Sequence, residues 1–146
     1  MNYGVVEIKS TSLVDKTTLQ EFEDKTLKLP QVDPNTEHFY AEGLYLRRIF
    51  IPKGCVATGA IHLTETIDIM VSGDLTIVTT EGKKRVSGHN IIVSKPGLKK
   101  VAFAHEDTIF ITAHAVTSVK DKTLETIEKE LFVDNYHNYT PSLEVK

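Results

Sequence analysis

Between positions 44 and 116 apolar residues come in short runs, each closed by glycine, proline or a small polar cluster. The pattern predicts eight strands, over residues 44–51, 55–63, 67–71, 74–80, 84–87, 90–94, 99–104 and 108–116. The separators include Pro52-Lys53-Gly54, Ser72-Gly73, Glu81-Gly82, Gly88-His89, Pro96-Gly97 and His105-Glu106-Asp107. Such residues favour hairpin turns over helical crossovers. Within the runs the polarity alternates. Ile67, Ile69 and Val71 alternate with Asp68 and Met70, and Ile109, Ile111, Ala113 and Ala115 with Thr108, Phe110, Thr112 and His114. Period two is the mark of half-buried strands. Eight short antiparallel strands can close into a jelly roll, which leaves few sheet edges exposed. A β-sandwich of another topology is the structural alternative.

The flanks read differently. Residues 1–43 form a polar N-terminal arm, with a short helix predicted where Thr18 and Glu21 have capping-box spacing and Leu19 and Phe22 share a face. Residues 29–34, with Pro30 and Pro34, are predicted to be extended, since proline denies a helix hydrogen bond and restricts the residue before it. An extended arm of this kind must dock on something. Within residues 117–146, Leu124, Ile127 and Leu131 fall at helical spacing behind Asp121 as a candidate N-cap, and Tyr136, Tyr139 and Pro141 follow in a tail.

Composition narrows the function classes. A chain of 146 residues is long enough for one hydrophobic core, and a formal charge of -3 without an extended basic tract argues against nonspecific nucleic-acid binding. The clusters Lys83-Lys84-Arg85 and Lys99-Lys100 read as solvated hairpin ends. Cys55, the lone cysteine, has no internal disulfide partner; it reads as a packing residue in a reducing compartment. No run of 18 apolar residues marks a membrane span, and MNYGVVEIKS lacks the pattern of a secretory signal, so a cytoplasmic location is expected. There is no GxxxxGK[ST] or GxGxxG phosphate loop and no GxSxG nucleophile elbow.

Candidate chemistry starts with Arg47 and Arg48, adjacent in a predicted strand, so that one of them faces inward. An inward arginine needs an anion: a carboxylate or phosphate of a small ligand, or an internal Asp or Glu. Tyr45, two residues earlier, shares the face of Arg47 as a stacking surface or as core.

The segment from Gly54 to Asp74 resembles the first motif of the cupin family, in which a glycine, a His-x-His pair, a glutamate and a turn glycine recur at fixed spacing. Counting back from Gly73 puts Ala60 and His62 at the two histidine positions and Thr66 at the glutamate position. Gly88 and Pro96-Gly97 resemble the turns of the second motif, with Val101 at its histidine and His105 four residues later. Leu29-Pro30-Gln31, His38, Tyr45, Arg47, residues 49–54, Thr58-Gly59, Gly73-Asp74 and Pro96-Gly97 are also similar to small cupin-like proteins of tailed bacteriophages. The resemblance implies an all-β, cupin-like double-stranded β-helix over residues 44–116, with an N-terminal arm and a short C-terminal helix. It also implies a homo-oligomer, in the first place a dimer.

Three functions follow from the resemblance. The first is noncatalytic binding of a small anionic metabolite or nucleotide by Arg47, His62 and Tyr45, as a phage accessory protein in the host cytoplasm. The second is a metal-dependent oxygenase or isomerase, its divalent metal held by His62, Glu65 and His105, although Glu65 is one residue out of register and a one-residue slip reverses the face of a strand. His38 and His114 are further candidates. The third is a structural or assembly jelly roll of a virion. The missing motif ligands favour binding over metal catalysis.

Overall fold

The computed structural model describes residues 15–118, 120 and 122–133. In chain order it contains α1 (Lys16–Thr26), β1 (Glu37–Ala41), β2 (Leu44–Ile51), β3 (Val56–Thr58), β4 (Ile61–His62), β5 (Thr66–Thr79), β6 (Gly82–Ser87), β7 (Asn90–Ser94), β8 (Val101–Ala115), α2 (Leu124–Leu131) and β9 (Phe132–Val133). No helix among the described residues is long and apolar enough to cross a membrane.

One ribbon organises the fold. β5 and β8 pair antiparallel from Thr66 opposite His114 to Val78 opposite Val101. Near the Thr66 end the ribbon is flanked by β2 on one side and β7 on the other; near the Val78 end by β3 and β6. β1 adds a hairpin partner to β2, so the first sheet begins at Glu37, ahead of residue 44. The result is the all-β jelly roll, or double-stranded β-helix, with a short C-terminal helix.

Two of the expected hairpins are bends within long strands. Ser72-Gly73 and His105-Glu106-Asp107 lie inside β5 and β8, so four predicted runs merge into two strands. The register slips between Met70 and Leu75, as at a β-bulge, which uses the same small and polar residues as a turn. Gly73 has φ of 121°, and a Cβ there would stand 2.1 Å from Thr108 Oγ1. Only glycine allows that approach. The run 55–63 is instead split at Gly59-Ala60 into β3 and β4.

Burial divides the ribbon at this bend. Beyond it, Leu75, Ile77, Ala102 and Ala104 face inward and join Val56, Met70, Val86 and Phe110 in the main core. Before it the polarity is inverted: Asp68, Thr66, Thr112 and His114 are buried, while Ile67, Ile91 and Val93 lie on the outside. The alternation visible in residues 67–71 and 108–115 is therefore present, with the less apolar rows inside.

The helices attach the flanks. α1 is capped by Asp15, which accepts from the Thr18 amide at 2.7 Å, one turn earlier than the Thr18 box predicted. Leu19 enters the core, and Glu23 pairs with Lys99 at 2.6 Å. Lys99 is fully buried and Lys100 reaches inward, so the solvated turn expected at these lysines is not found; Lys83, Lys84 and Arg85 are exposed. The arm docks beside β2, where the Phe50 amide donates to the Pro34 carbonyl at 2.8 Å. Thr123 caps α2, accepting from the Thr126 amide. Asp121, Tyr136, His137, Tyr139 and Pro141 lie outside the described residues. After α2 the chain turns back, and β9 pairs with β4, setting Phe132 opposite His62.

Candidate functional site

Strand register assembles the site. Arg47 of β2 and Asp68 of β5 both pair with Thr112 of β8, which lies between them, so one cross-strand row carries Arg47, Thr112 and Asp68 on its inner face. On one side of this row lie Tyr45, His114, Thr66 and Ser94, and on the other Ile49, Phe110 and Met70. The belt is thus polar, with rings and hydroxyls along one margin and hydrocarbon along the other.

A cavity of about 380 Å³ opens onto this belt. Arg47, His62, Asp68, Lys100 and Thr112 are its polar wall; Ile49, Leu75, Ile77, Ala102 and Phe110 belong to its apolar wall; and Leu27, Gln31 and Val32 of the N-terminal region close one side. Its size and composition suit a small molecule, which ordinarily sits in an apolar hollow with a few fixed polar groups.

Asp68 is wholly buried, and its carboxylate is used unevenly. Oδ2 accepts from Ser94 Oγ at 2.6 Å and pairs with Lys100 Nζ at 3.0 Å, while Oδ1 has no partner among the described residues. Lys100 is thereby matched by a charge of opposite sign. Arg47 is not: among the described residues it forms no ion pair, and its guanidinium lies 4.8 Å from the centre of the Phe132 ring. Glu125 and Glu128 line a second groove on the α2 side of Arg47, without an ion pair to it.

His62 faces the cavity, with Nδ1 3.3 Å from Thr66 Oγ1, and meets His114 edge-on at 5.2 Å. Phe132 covers both imidazoles, at 5.3 and 5.0 Å. Burial pushes His62 down to about 3, helped by the neighbouring Lys100 and His114, and pushes His114 down to about 4. Both rings are neutral at pH 7 and can donate or accept, but neither supplies charge.

The other candidates are placed as follows. Tyr45 is fully buried one row from the cavity, its hydroxyl 2.7 Å from His38 Nδ1 and its ring stacked on His114; burial raises it to about 12. Glu65 is exposed. His105 faces away from the interior, with Nε2 2.7 Å from Thr76 Oγ1. The proposed ligand set His62, Glu65 and His105 is therefore not brought together, and no group of three His, Cys, Asp or Glu among the described residues is placed to hold a metal. With Lys100 on the Asp68 carboxylate and Arg47 beside it, the donor set does not fit a divalent cation. Val101, at the histidine position of the second motif, is core.

Sequence reasoning missed Asp68, Lys100 and Phe132. A signal existed for the first: an acidic residue within an otherwise apolar strand, followed at a distance by a lysine pair in another. Phe132 carried none, since its role depends on α2 turning the chain back.

No family model and no curated protein matches the chain. Solved structures do resemble it. An uncharacterized conserved protein with a double-stranded β-helix domain from Klebsiella pneumoniae is similar with a TM-score of 0.51, at 15% identity over 60% of this chain and 81% of that one. A protein from Neisseria meningitidis gives 0.50, at 8% identity over 60% and 88%. A cupin protein from Bacteroides fragilis gives 0.49, at 14% identity over 68% and 91%. The likeness to the Klebsiella protein shows the fold, which is the double-stranded β-helix.

Proposed function

We propose that the chain is a noncatalytic small-ligand-binding protein of cupin type, which holds an anionic metabolite inside its barrel with Arg47 as the anchor. The observation that carries this reading is Arg47: it lines a cavity of about 380 Å³ and forms no ion pair among the described residues, while the neighbouring Lys100 is matched by Asp68. A planar fork with five donors binds a carboxylate or phosphate in two parallel bonds, and a sheltered site strengthens them. His62 supplies a neutral donor or acceptor in the cavity wall. The residue-level resemblance to phage-encoded cupin-like proteins supports an accessory role in the host cytoplasm. The exposed Ile67, Ile91 and Val93 support a homodimer formed through the outer sheet face.

Native mass spectrometry of the gently purified protein, followed by titration calorimetry with the molecule identified, is the test. A copurifying anion that Arg47→Met releases supports the reading. Retention of the same molecule by Arg47→Met, with the barrel intact by circular dichroism, overturns it.

A further inference from the structure

We infer that the ligand is a monocarboxylate with a hydroxyl beside the carboxylate and an apolar body, a 2-hydroxy acid in its simplest form. This rests on the reading of Arg47 as anchor, and each part of the description comes from a different wall of the cavity. The charge comes from the wall that holds two cations and one carboxylate: Lys100 and Asp68 cancel, and one positive charge remains on Arg47. A monoanion balances that charge, whereas a phosphate dianion leaves an excess negative charge beside Asp68.

The hydroxyl comes from Asp68. Its Oδ2 is taken by Ser94 and Lys100, but Oδ1, on a residue with no exposed surface that lines the cavity, has no partner among the described residues. A buried carboxylate oxygen accepts a hydrogen bond wherever one can be offered. Asp68 and Arg47 sit on the same cross-strand row, separated by Thr112 alone. Two strand spacings of about 4.8 Å separate their backbones, about 9.6 Å in all, a span that the long Arg47 side chain can shorten so that the two reach adjacent groups of one small molecule. The donor must be small, because the oxygen is closed off. It must also be uncharged, because the Lys100 ammonium at 3.0 Å from the other oxygen repels a second ammonium. A hydroxyl meets both conditions, and an amino acid does not.

The apolar body comes from the opposite margin, where Ile49, Phe110, Leu75 and Ile77 offer no polar atom to a sugar-like chain. An alkyl or aryl group in contact with them keeps the head on the polar belt and orients the molecule.

Four probes separate these parts on the wild-type protein by titration calorimetry: octanoate, 2-hydroxyoctanoate, 2-aminooctanoate and octyl phosphate. The expected order places 2-hydroxyoctanoate at least about tenfold tighter than octanoate, with the amino and phosphate compounds weaker than octanoate. In Asp68→Asn the gap between the hydroxy acid and octanoate shrinks to within about threefold, and in Arg47→Met all binding is lost. Equal affinity for octanoate and 2-hydroxyoctanoate, both abolished by Arg47→Met, overturns this inference and leaves the anion reading intact. Failure of every probe to bind overturns this inference, and binding unaffected by Arg47→Met overturns both. The wild-type comparison stands even where Asp68→Asn fails to fold.

Discussion

β5 is a single strand whose two halves obey opposite rules. Beyond the bend, Leu75 and Ile77 face inward and the Asp74 carboxylate holds Arg85 on the outside, the ordinary arrangement of a half-buried strand. Before the bend, Thr66 and Asp68 face inward and Ile67 faces out, 45% exposed, beside Ile91 at 75% and Val93 at 62%. The half beyond the bend is built for stability. The half before it buries polar groups that oppose folding unless paired, and exposes hydrocarbon that water disfavours.

The largest effect is expected at the point that joins the halves. Gly73→Ala puts a methyl 2.1 Å from Thr108 Oγ1 and 2.6 Å from Thr108 Cα at a φ of 121°. We expect it to cost at least about 4 kcal/mol, because the nearer obstacle is backed by backbone. Urea denaturation measures this, and a loss under 1 kcal/mol would show that the bend is pliable.

Next come the halves themselves. Leu75→Ala is expected to cost about 2–5 kcal/mol. Lys100→Met, which strands the buried Asp68 carboxylate, is expected to cost about 3–5 kcal/mol. Their rescue differs. Adding Asp68→Leu to Lys100→Met restores most of the stability, since the fold has no need of the charges, and removes the preference for the hydroxy acid over octanoate. A double variant that stays as unstable as Lys100→Met would place the pair among the structural groups.

Acid should weaken the polar half selectively. His62 and His114 are held at about 3 and about 4, below the ordinary value of 6.5. The unfolded chain takes up protons there that the folded chain refuses, so stability falls as the pH drops below about 6.5 and levels off once both folded values are passed. At pH 5 each histidine should contribute a loss on the order of 2 kcal/mol relative to pH 7. His114→Gln should remove about half of that slope in urea titrations, and an unchanged slope would refute the assignment.

The outer face gives the smallest change in monomer stability. Ile91→Asp is expected to shift folding by no more than about 0.5 kcal/mol while turning a dimer into a monomer in analytical ultracentrifugation. A wild-type protein that sediments as a monomer at micromolar concentration would refute the dimer.

What the sequence disclosed follows the same division. Turn residues and alternation marked the strands at 44–51 and 90–94, whose bounds the structure keeps. They failed where glycine and serine serve a bulge, since local chemistry does not distinguish a bend from a reversal. β1 was missed because Glu37–Ala41 is mostly exposed and bears no apolar pattern. Glycine spacing in the cupin-like motif put His62 on the inner face, and strand phase required one of Arg47 and Arg48 to face inward without choosing between them. Asp68 and Lys100 escaped because charges in strands are usually solvated, and only pairing between distant strands reveals that they neutralise each other.

The N-terminal region gives the cavity a clock. Leu27, Gln31 and Val32 form part of its wall, and α1 is fastened through Leu19 and the Lys99–Glu23 pair, one residue from the lysine that reaches the ligand side. If a molecule is held behind this wall, local unfolding of the N-terminal region becomes a route for its release, and tightening α1 would then lengthen residence without adding a single contact to the ligand.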